Sequence, residues 1–212
     1  MDTRGPTILD PAAIERESFA IIEREMGEHG FSELEWPIVR RVIHTSADFD
    51  FARNTLFSPG AVASALAAIR GGAAILCDTN MALAGVNRVR LAQFRASIHC
   101  HVGDAEVAAL ARAKGITRST LALRKGVEAG CSIFAIGNAP TALFELLRLI
   151  REGAPRPALV IGAPVGFVGA QESKEALIAT DLPYIACRGR KGGSTIVTAI
   201  LNALLILAEE GK

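Results

Sequence analysis

The sequence predicts an α/β fold with a mainly parallel sheet of about five strands. Five short apolar stretches are each followed by a polar or glycine-rich loop and then by a helical pattern. This repeat is typical of parallel sheets, whose strands are covered by helices on both faces. The predicted strands are residues 73–78, 97–102, 132–137, 158–163 and 183–187.

The first 72 residues are predicted to form a mainly helical arm. Three helices are indicated by capping residues or prolines at their starts and by breakers near their ends. They run from Asp10-Pro11 to Gly27 or Gly30, from Ser32 with Glu35 to about His44, and from Ser58-Pro59 to Gly71-Gly72. Because no linker, repeat or charge block follows, we expect residues 1–212 to form one domain, with the βα units in residues 73–212.

Composition argues against several classes of function. The chain carries 23 lysines and arginines against 22 acidic residues, and 5% of its residues are aromatic, so nucleic-acid binding has little support. Residues 1–11 lack an apolar leader, and the apolar run at residues 196–208 is too short to span a bilayer. The four cysteines lack a CxxC spacing and are predicted to be buried free thiols. We therefore expect a cytoplasmic protein with no membrane contact.

Two consecutive segments, residues 133–150 and 158–177, run from a strand through a Gly/Ala/Pro loop into a helix. Ligands of parallel sheets bind at the carboxyl ends of the strands, where such loops lie. We predict that Asn138 caps the helix after the first loop and that Pro140 lies in its first turn. Backbone amides at such a helix start favour an anion.

A third glycine loop combines positive charge with backbone donors at a helix start. It contains Arg188, Arg190, Lys191, Gly192, Gly193 and Ser194. Such a loop can bind a carboxylate or a phosphate, because cationic side chains and free amides both favour anions. A solvated charge cluster on a tight turn is the alternative.

The last predicted helix, residues 195–208, is apolar nearly all round. Such a helix lies either in the centre of a core or against another subunit. Because one small domain cannot easily cover every side of it, we expect an obligate homodimer.

The four histidines differ in how well their positions suit chemistry. His44 is predicted at a helix end, before a polar run, where a proton can reach it. An electrostatic helix cap is the alternative for this residue. His99 and His101 share a strand face but lack further ligands at metal spacing, so ordinary packing is favoured over a metal site. His29, beside Gly30, is interpreted as a surface cap.

Five segments of the chain resemble the precorrin-8X methylmutase family, the precorrin isomerases of cobalamin biosynthesis. They are RRVIHTSADFDF, CDTNMALAGVNR, FAIGNAPTALFEL, IGAPVGFVGAQESKEAL and RGRKGGSTIVTAILNAL. The resemblance extends from Glu17 to the final helix, and IGNAPTAL together with PVGFVGAxESK is specific to this family. It implies a three-layer, Rossmann-like fold and a homodimer.

The resemblance also implies a reaction. A methyl group moves from carbon 11 to carbon 12 of ring C in precorrin-8X or cobalt-precorrin-8, giving hydrogenobyrinate or cobyrinate. The family's general acid corresponds to His44, and a histidine suits protonation of the conjugated ring system. The reaction is redox-neutral, and the sequence has neither a nucleotide fingerprint nor a complete metal-ligand set, so we expect no cofactor and no resident metal. The segment DTNMALAGVN resembles members that act on the cobalt-containing substrate.

Further positions that match family segments are expected to hold the acetate and propionate groups of the substrate, since arginine forks pair with carboxylates. They are Arg16, Ser18, Thr79, Asn80, Arg88, Arg118, Ser119, Gly137, Asn138, Thr141, Gly162, Gly166, Arg188, Gly192, Gly193 and Ser194. Family members often have Arg-Ser-Phe near the N-terminus, whereas here Glu17 precedes Ser18 and the arginine stands one place earlier. A one-residue shift rotates a helical side chain by about 100°, so it stays open whether Arg16 makes the family contact, whereas Ser18 is expected to face the site.

Two other classes of protein share some of these features. A nucleotide-dependent oxidoreductase would also use glycine loops, but no strand here runs into GxGxxG and no P-loop occurs. A non-catalytic carrier of tetrapyrroles or carboxylates is the stronger alternative, because a binding cradle and a catalyst would differ mainly by His44.

Overall fold

The computed structural model describes residues 10–211, in which eleven helices surround a six-stranded sheet. Residues 1–9, on which the expectation of no leader partly rests, lie outside the described range. The strands are β1 (Thr55–Phe57), β2 (Ala74–Cys77), β3 (Ser97–His99), β4 (Ile133–Ile136), β5 (Leu159–Gly162) and β6 (Tyr184–Cys187). The helices are α1 (Pro11–Met26), α2 (Trp36–Ser46), α3 (Asp50–Asn54), α4 (Ala61–Arg70), α5 (Asn80–Gly85), α6 (Arg88–Gln93), α7 (Ala105–Lys114), α8 (Arg118–Glu128), α9 (Pro140–Arg151), α10 (Ala170–Ile178) and α11 (Ser194–Glu210).

The sheet has the strand order β1-β6-β5-β4-β2-β3, and every neighbouring pair is parallel except β1 with β6. The five predicted strands are confirmed as β2 to β6. The prediction missed β1, which lies in the arm expected to be helical. This strand has three residues and pairs antiparallel with β6, with Thr55 opposite Cys187. So short a segment shows no alternation, and its pairing partner is far away in the sequence.

Alternate strand residues pack into two cores on opposite faces of the sheet. Ile133 and Ala135 of β4 contribute to the core that α2, α4 and α11 cover, whereas Phe134 and Ile136 contribute to the core under α8, α9 and α10. This alternation is what a parallel strand buried on both faces requires. The three-layer α/β/α arrangement implied by the resemblance is therefore confirmed.

The helical arm follows the predicted boundaries closely. The Asp10 carboxylate caps α1 by accepting the N–H of Ala13 at 2.9 Å, and α4 ends at Gly71. Half of the predicted capping box is present before α2, because the Ser32 N–H donates to the Glu35 carboxylate at 3.0 Å. Helices α1 and α3 pack against α2, which fixes the position of the residues at its end.

Helix α11 lies in the centre of the molecule, against α2, α4 and α5. Ten of its side chains are buried by the chain itself. The expectation that a single domain would leave part of this helix uncovered is therefore wrong, because α2 and α4 enclose the face turned away from the sheet. Central burial, the other interpretation of its composition, is confirmed.

Two further findings concern the chain as a whole. All four cysteines are free; three of them are buried, and Cys100 is partly buried because it lies just past β3 at the edge of the sheet. Within residues 10–211, no helix combines the length and the apolar character needed to cross a membrane.

The strand order reverses between β2 and β4, because β3 lies on one side of β2 and the later strands lie on the other. In sheets of this kind, ligands bind in the crevice at the carboxyl ends of the strands on either side of such a switch point. We call the segments that follow the next two strands the β5 loop (residues 163–169) and the β6 loop (residues 188–193).

Candidate active site

The switch point holds a buried carboxylate that the sequence analysis did not single out. Asp78 follows β2, is 6% exposed, and accepts three backbone N–H bonds. The donors are Gly137 at 3.0 Å, Asn138 at 2.7 Å and Ala139 at 2.8 Å. Burial raises the pKa of Asp78, whereas these hydrogen bonds act in the opposite direction. The carboxylate thus satisfies the free amides at the start of α9 from a neighbouring strand.

Two expectations about this loop are wrong for that reason. Asn138 does not cap α9, because the cap position is Ala139 and the side chain of Asn138 is exposed. The amides that were expected to bind an external anion are already bound to Asp78. A substrate carboxylate therefore has to be held by other groups at this edge of the sheet.

The ends of β2 and β6 meet through two hydroxyl groups. Thr79 caps α5 by accepting the N–H of Ala82 at 3.1 Å, and its Oγ1 lies 2.7 Å from Oγ of Ser194. The backbones also approach closely here, since a Cβ on Gly137 would lie 2.7 Å from the carbonyl oxygen of Gly193. The structure therefore brings four of the predicted site residues together.

Backbone contacts join the β5 loop to the β6 loop. The N–H of Gly193 donates to the carbonyl of Ala163 at 2.9 Å, and the N–H of Gly166 donates to the carbonyl of Arg190 at 3.1 Å. A Cβ on Gly192 would lie 2.1 Å from the Ala163 carbonyl oxygen, so only glycine fits there. The two loops therefore form one surface.

His44 lies in the last turn of α2, which packs against α11. Its ring is half-buried and contacts the ring of Phe19 edge-on, with 5.1 Å between the centroids. Within the described part of the chain, neither imidazole nitrogen has a hydrogen-bond partner. A cavity of about 230 Å³ lies beside this helix end, and Thr45, Met81 and Thr195 contribute to its lining. The histidine thus stands near the start of α11 with both nitrogens available.

An ion-pair cluster fastens the segment after α2 to the β6 loop. Nζ of Lys191 lies 2.5 Å from a carboxylate oxygen of Asp48 and 2.9 Å from one of Asp50. The hydrogen bonds to these carboxylates raise the pKa of Lys191, and the bond from Lys191 lowers the pKa of Asp48. The cluster therefore holds the segment that follows His44 against the β6 loop.

Three arginines predicted to bind substrate have partners within the chain. The pairs are Arg188 with Glu175 (2.9 and 3.3 Å), Arg88 with the carbonyl of Leu83 (3.3 Å) and Arg16 with Asp10 (3.7 Å). All three arginine side chains are exposed, so solvent weakens these contacts and the guanidinium groups can exchange partners.

A second group of predicted residues lies at the starts of α8 and α9. Oγ1 of Thr141 lies 3.0 Å from Oγ1 of Thr117, which caps α8. Arg118 and Ser119 occupy the first turn of α8. Arg118 is exposed and, within residues 10–211, has no partner, so it is free to bind an anion at this edge.

Three predicted residues remain, namely Ser18, Asn80 and Gly162. Ser18 donates to the carbonyl of Ile14 at 2.8 Å, and Asn80 is exposed at the start of α5. Gly162 is buried in β5, where a Cβ would lie 2.5 Å from Cδ2 of Leu177. A larger residue at that position would force the Leu177 side chain to move.

Large apolar side chains project from the β5 loop. Phe167 is 82% exposed and Val168 is 91% exposed, and Val165 is 45% exposed. The guanidinium carbon of Arg190 lies 5.4 Å from the centre of the Phe167 ring. This loop belongs to a segment that resembles the family, but no role was predicted for Phe167 or Val168. The sequence signal that could have identified them is the placement of apolar residues between glycines at the end of a strand.

The remaining histidines lie outside this arrangement. Nδ1 of His101 is 3.1 Å from an Asp104 carboxylate oxygen, and its ring stacks on that of His99. In the described part of the chain, no group of three His, Cys, Asp or Glu residues could hold a metal ion. His29 is exposed and stacks on Trp36 with 4.0 Å between ring centroids. It does not cap α1, which has already ended before it.

The fold and the site define a class of protein. It is a three-layer α/β protein whose glycine loops, hydroxyl groups and exposed cations meet at the carboxyl edge of a parallel sheet, beside a half-buried histidine. That combination suits a ligand with both apolar surface and carboxylate groups.

Comparison with known proteins identifies the family. The model of the family described as Precorrin-8X methylmutase matches residues 13–207. A cobalt-precorrin-8 methylmutase of Priestia megaterium is 47% identical over 97% of this chain and 92% of its own length. A precorrin-8X methylmutase of Pseudomonas aeruginosa is 48% identical over 93% of this chain and 96% of its own. The crystal structure of precorrin-8x methyl mutase from Thermus thermophilus has a TM-score of 0.88 at 49% identity, covering 94% of this chain and 97% of that one. The chain therefore belongs to the precorrin-8X methylmutase family and is an isomerase of cobalamin biosynthesis.

Proposed function

We propose that this chain moves the methyl group of precorrin-8X or cobalt-precorrin-8 from carbon 11 to carbon 12, with His44 as the general acid. The observation that carries the proposal is the placement of His44. It lies at the end of α2, and Lys191 fastens the segment that follows to the β6 loop. A proton donor and a carboxylate-binding edge are thereby held at a fixed separation, as an acid-catalysed rearrangement of a large anion requires.

The reaction requires one proton donor and groups that hold the substrate. The His44 imidazolium donates a proton to the conjugated ring system, which makes the methyl shift to the neighbouring carbon easier. A proton is released as the product forms, so atoms and electrons balance and the reaction remains an isomerisation. The other groups hold the macrocycle and neutralise its carboxylates. We expect no cofactor and no resident metal for this step.

The residues predicted to bind the substrate remain part of the proposal, and the exposed side chains of the β5 loop join them. A corrin ring has apolar faces and a rim of carboxylates. Phe167 and Val168 supply exposed apolar surface, while Arg118 and Arg190 supply cationic groups at the same edge. The ring is larger than the cavity that Thr45 and Thr195 line, so it would extend across this surface.

We further propose a cytoplasmic homodimer whose substrate contains cobalt. The dimer follows from the family resemblance, and the location follows from the four isolated cysteines, which suit a reducing compartment. The choice of substrate rests on the segment DTNMALAGVN. The similar relatives include both cobalt-precorrin-8 and precorrin-8X methylmutases at nearly equal identity, so only an assay can decide between the two substrates.

The test is a turnover assay with both substrates side by side. The purified protein is incubated with the metal-free and the cobalt-containing compound, and substrate and product are separated chromatographically because they have equal mass. We expect conversion of both, faster with cobalt. Equal or faster turnover of the metal-free compound would contradict the substrate preference. Tight binding of both compounds without any conversion would support the carrier and overturn the isomerase.

A further inference from the structure

Lys174 of α10 has a fully buried side chain, at 0% exposure, although it carries an ammonium group. Its Nζ donates to the backbone carbonyl of Lys191 at 2.9 Å. Within residues 10–211, no carboxylate lies within ion-pair distance of it. Burying an ammonium without a counter-charge is strongly unfavourable, so the contact with the β6 loop has to compensate for that cost or serve another purpose.

The carbonyl that Lys174 holds belongs to the residue whose side chain reaches the segment after α2. The backbone carbonyl of Lys191 is thus bound by the buried Lys174, and its ammonium group is bound by Asp48 and Asp50. On either side of Lys191 the β5 loop supports this loop, through the Gly166 N–H bound to the Arg190 carbonyl and the Gly193 N–H bound to the Ala163 carbonyl, whereas Lys174 holds Lys191 itself. Arg190 and Gly192 flank it, and both are exposed or partly exposed.

The groups around Lys174 are consistent with a role in positioning the β6 loop. Glu175, the next residue, is engaged by Arg188 of the β6 loop, and Cys187 at the end of β6 is a buried neutral thiol. Burial lowers the pKa of Lys174 to about 8. The amine donates its N–H to the carbonyl in either protonation state, so the contact itself persists through that range.

We propose that Lys174 is a positioning residue of the active site. Its Nζ fixes the Lys191 carbonyl, and through Lys191 it holds the β6 loop and the segment after His44 in the arrangement that the reaction needs. It does not touch the substrate. This inference rests on the proposed role of His44 and of the β6 loop.

The primary variant is Lys174→Met, which keeps the length and the apolar stem but removes the donor and the charge. The expected result is a loss of about 10- to 100-fold in kcat/KM, with a thermal midpoint equal to or above that of the wild type, because a buried unpaired charge is gone. Lys114→Met, at the exposed end of α7, is the matched control and should leave both quantities unchanged.

Amide hydrogen exchange gives a second readout that does not depend on turnover. Residues 44–50 and 188–193 should exchange faster in Lys174→Met, while β4 and β5 should keep their protection. If the wild type fails to isomerise its substrate, the proposed function fails, and the exchange data still test the placement of the loop.

A double-mutant cycle with Lys191→Met tests whether Lys174 acts through Lys191. In the Lys191→Met background, Lys174→Met should lower kcat/KM much less than it does in the wild type, because the connection to Asp48 and Asp50 is already broken. Fully additive losses would overturn the proposal. Wild-type kcat/KM and wild-type hydrogen exchange in Lys174→Met would also overturn it. So would a variant that does not fold, or one whose thermal midpoint and activity fall together, because either result would show that Lys174 only stabilises the core.

Discussion

Two buried charges, Asp78 and Lys174, organise the backbone around the site. Each is held by groups of the main chain: Asp78 by three amides at the start of α9, and Lys174 by one carbonyl of the β6 loop. Such contacts fix the position of loops that have no regular secondary structure. Loss of the Asp78 carboxylate would leave buried amides without an acceptor, whereas the buried Lys174 ammonium itself costs stability.

Replacing Asp78 by asparagine should destabilise the protein. An amide cannot accept all three N–H bonds, and at least one buried donor is left unsatisfied, so we expect the free energy of unfolding to fall by about 2 to 3 kcal/mol. Urea denaturation measures this quantity. Asp181→Asn, at an 83% exposed side chain, is the control and should change it little. Equal stability of Asp78→Asn and the wild type would contradict the role of the carboxylate.

The stability of the wild type relative to Lys174→Met should depend on pH. In the unfolded chain the lysine has its ordinary pKa of 10.5, whereas in the folded protein burial lowers it to about 8. Between these values the unfolded state binds more protons, so wild-type stability rises with pH. As the pH rises from about 8 to 10.5, the free energy of unfolding of the wild type increases by at most about 3 kcal/mol. Below pH 8 the buried ammonium is charged, and its full destabilising effect is present. Urea denaturation of both proteins at pH 7, 8.5 and 10 checks this, and a constant difference would contradict it.

Most site residues were predicted from the family resemblance. Four of them, Thr79, Gly137, Gly193 and Ser194, lie together at the ends of the strands. Asp78 was missed because an aspartate after a strand has no signature that distinguishes a buried cap from an exposed one. The partners of the arginines could not be predicted either, since they depend on which helices become neighbours.

At the scale of secondary-structure elements, close approach of the backbone determines how the loops pack together. The β5 and β6 loops meet because glycine at position 192 leaves room for the Ala163 carbonyl. Periodicity predicted the strands and helices on either side, because each has an apolar face with a regular spacing. It did not predict β1, whose position depends on pairing with β6.

A methyl group at position 192 should separate the two loops. In Gly192→Ala the new Cβ would lie 2.1 Å from the Ala163 carbonyl oxygen, so one loop has to move. We expect a loss of about 1 to 3 kcal/mol in stability and a larger loss of product affinity. Gly30→Ala is the control, because a Cβ there meets nothing within 4 Å. Product titration and thermal unfolding check the prediction, and unchanged values for both would contradict the close packing of the loops.

At the scale of the whole molecule, the chain covers its own core. Helix α11 was expected to need a second subunit, but α2 and α4 bury the face that is turned away from the sheet. Amphipathic analysis of one helix cannot distinguish these cases, since it does not show how many neighbours the helix will have. The proposed homodimer must therefore use another surface.

Light scattering at micromolar concentration tests the proposed assembly. We expect about twice the chain mass of 22.3 kDa. Because α11 is enclosed, Ile206→Ser on its partly exposed position should leave that mass unchanged. A stable and active monomer at the same concentration would contradict the homodimer.

The role of His44 as the acid is the central claim, and its most direct test is the isomerisation rate of His44→Asn. Asparagine keeps the approximate shape and polarity of the side chain but cannot protonate the ring system. We expect kcat to fall by about 10²- to 10⁴-fold with product affinity nearly unchanged, while His29→Asn keeps the wild-type rate. A wild-type rate in His44→Asn would contradict the account.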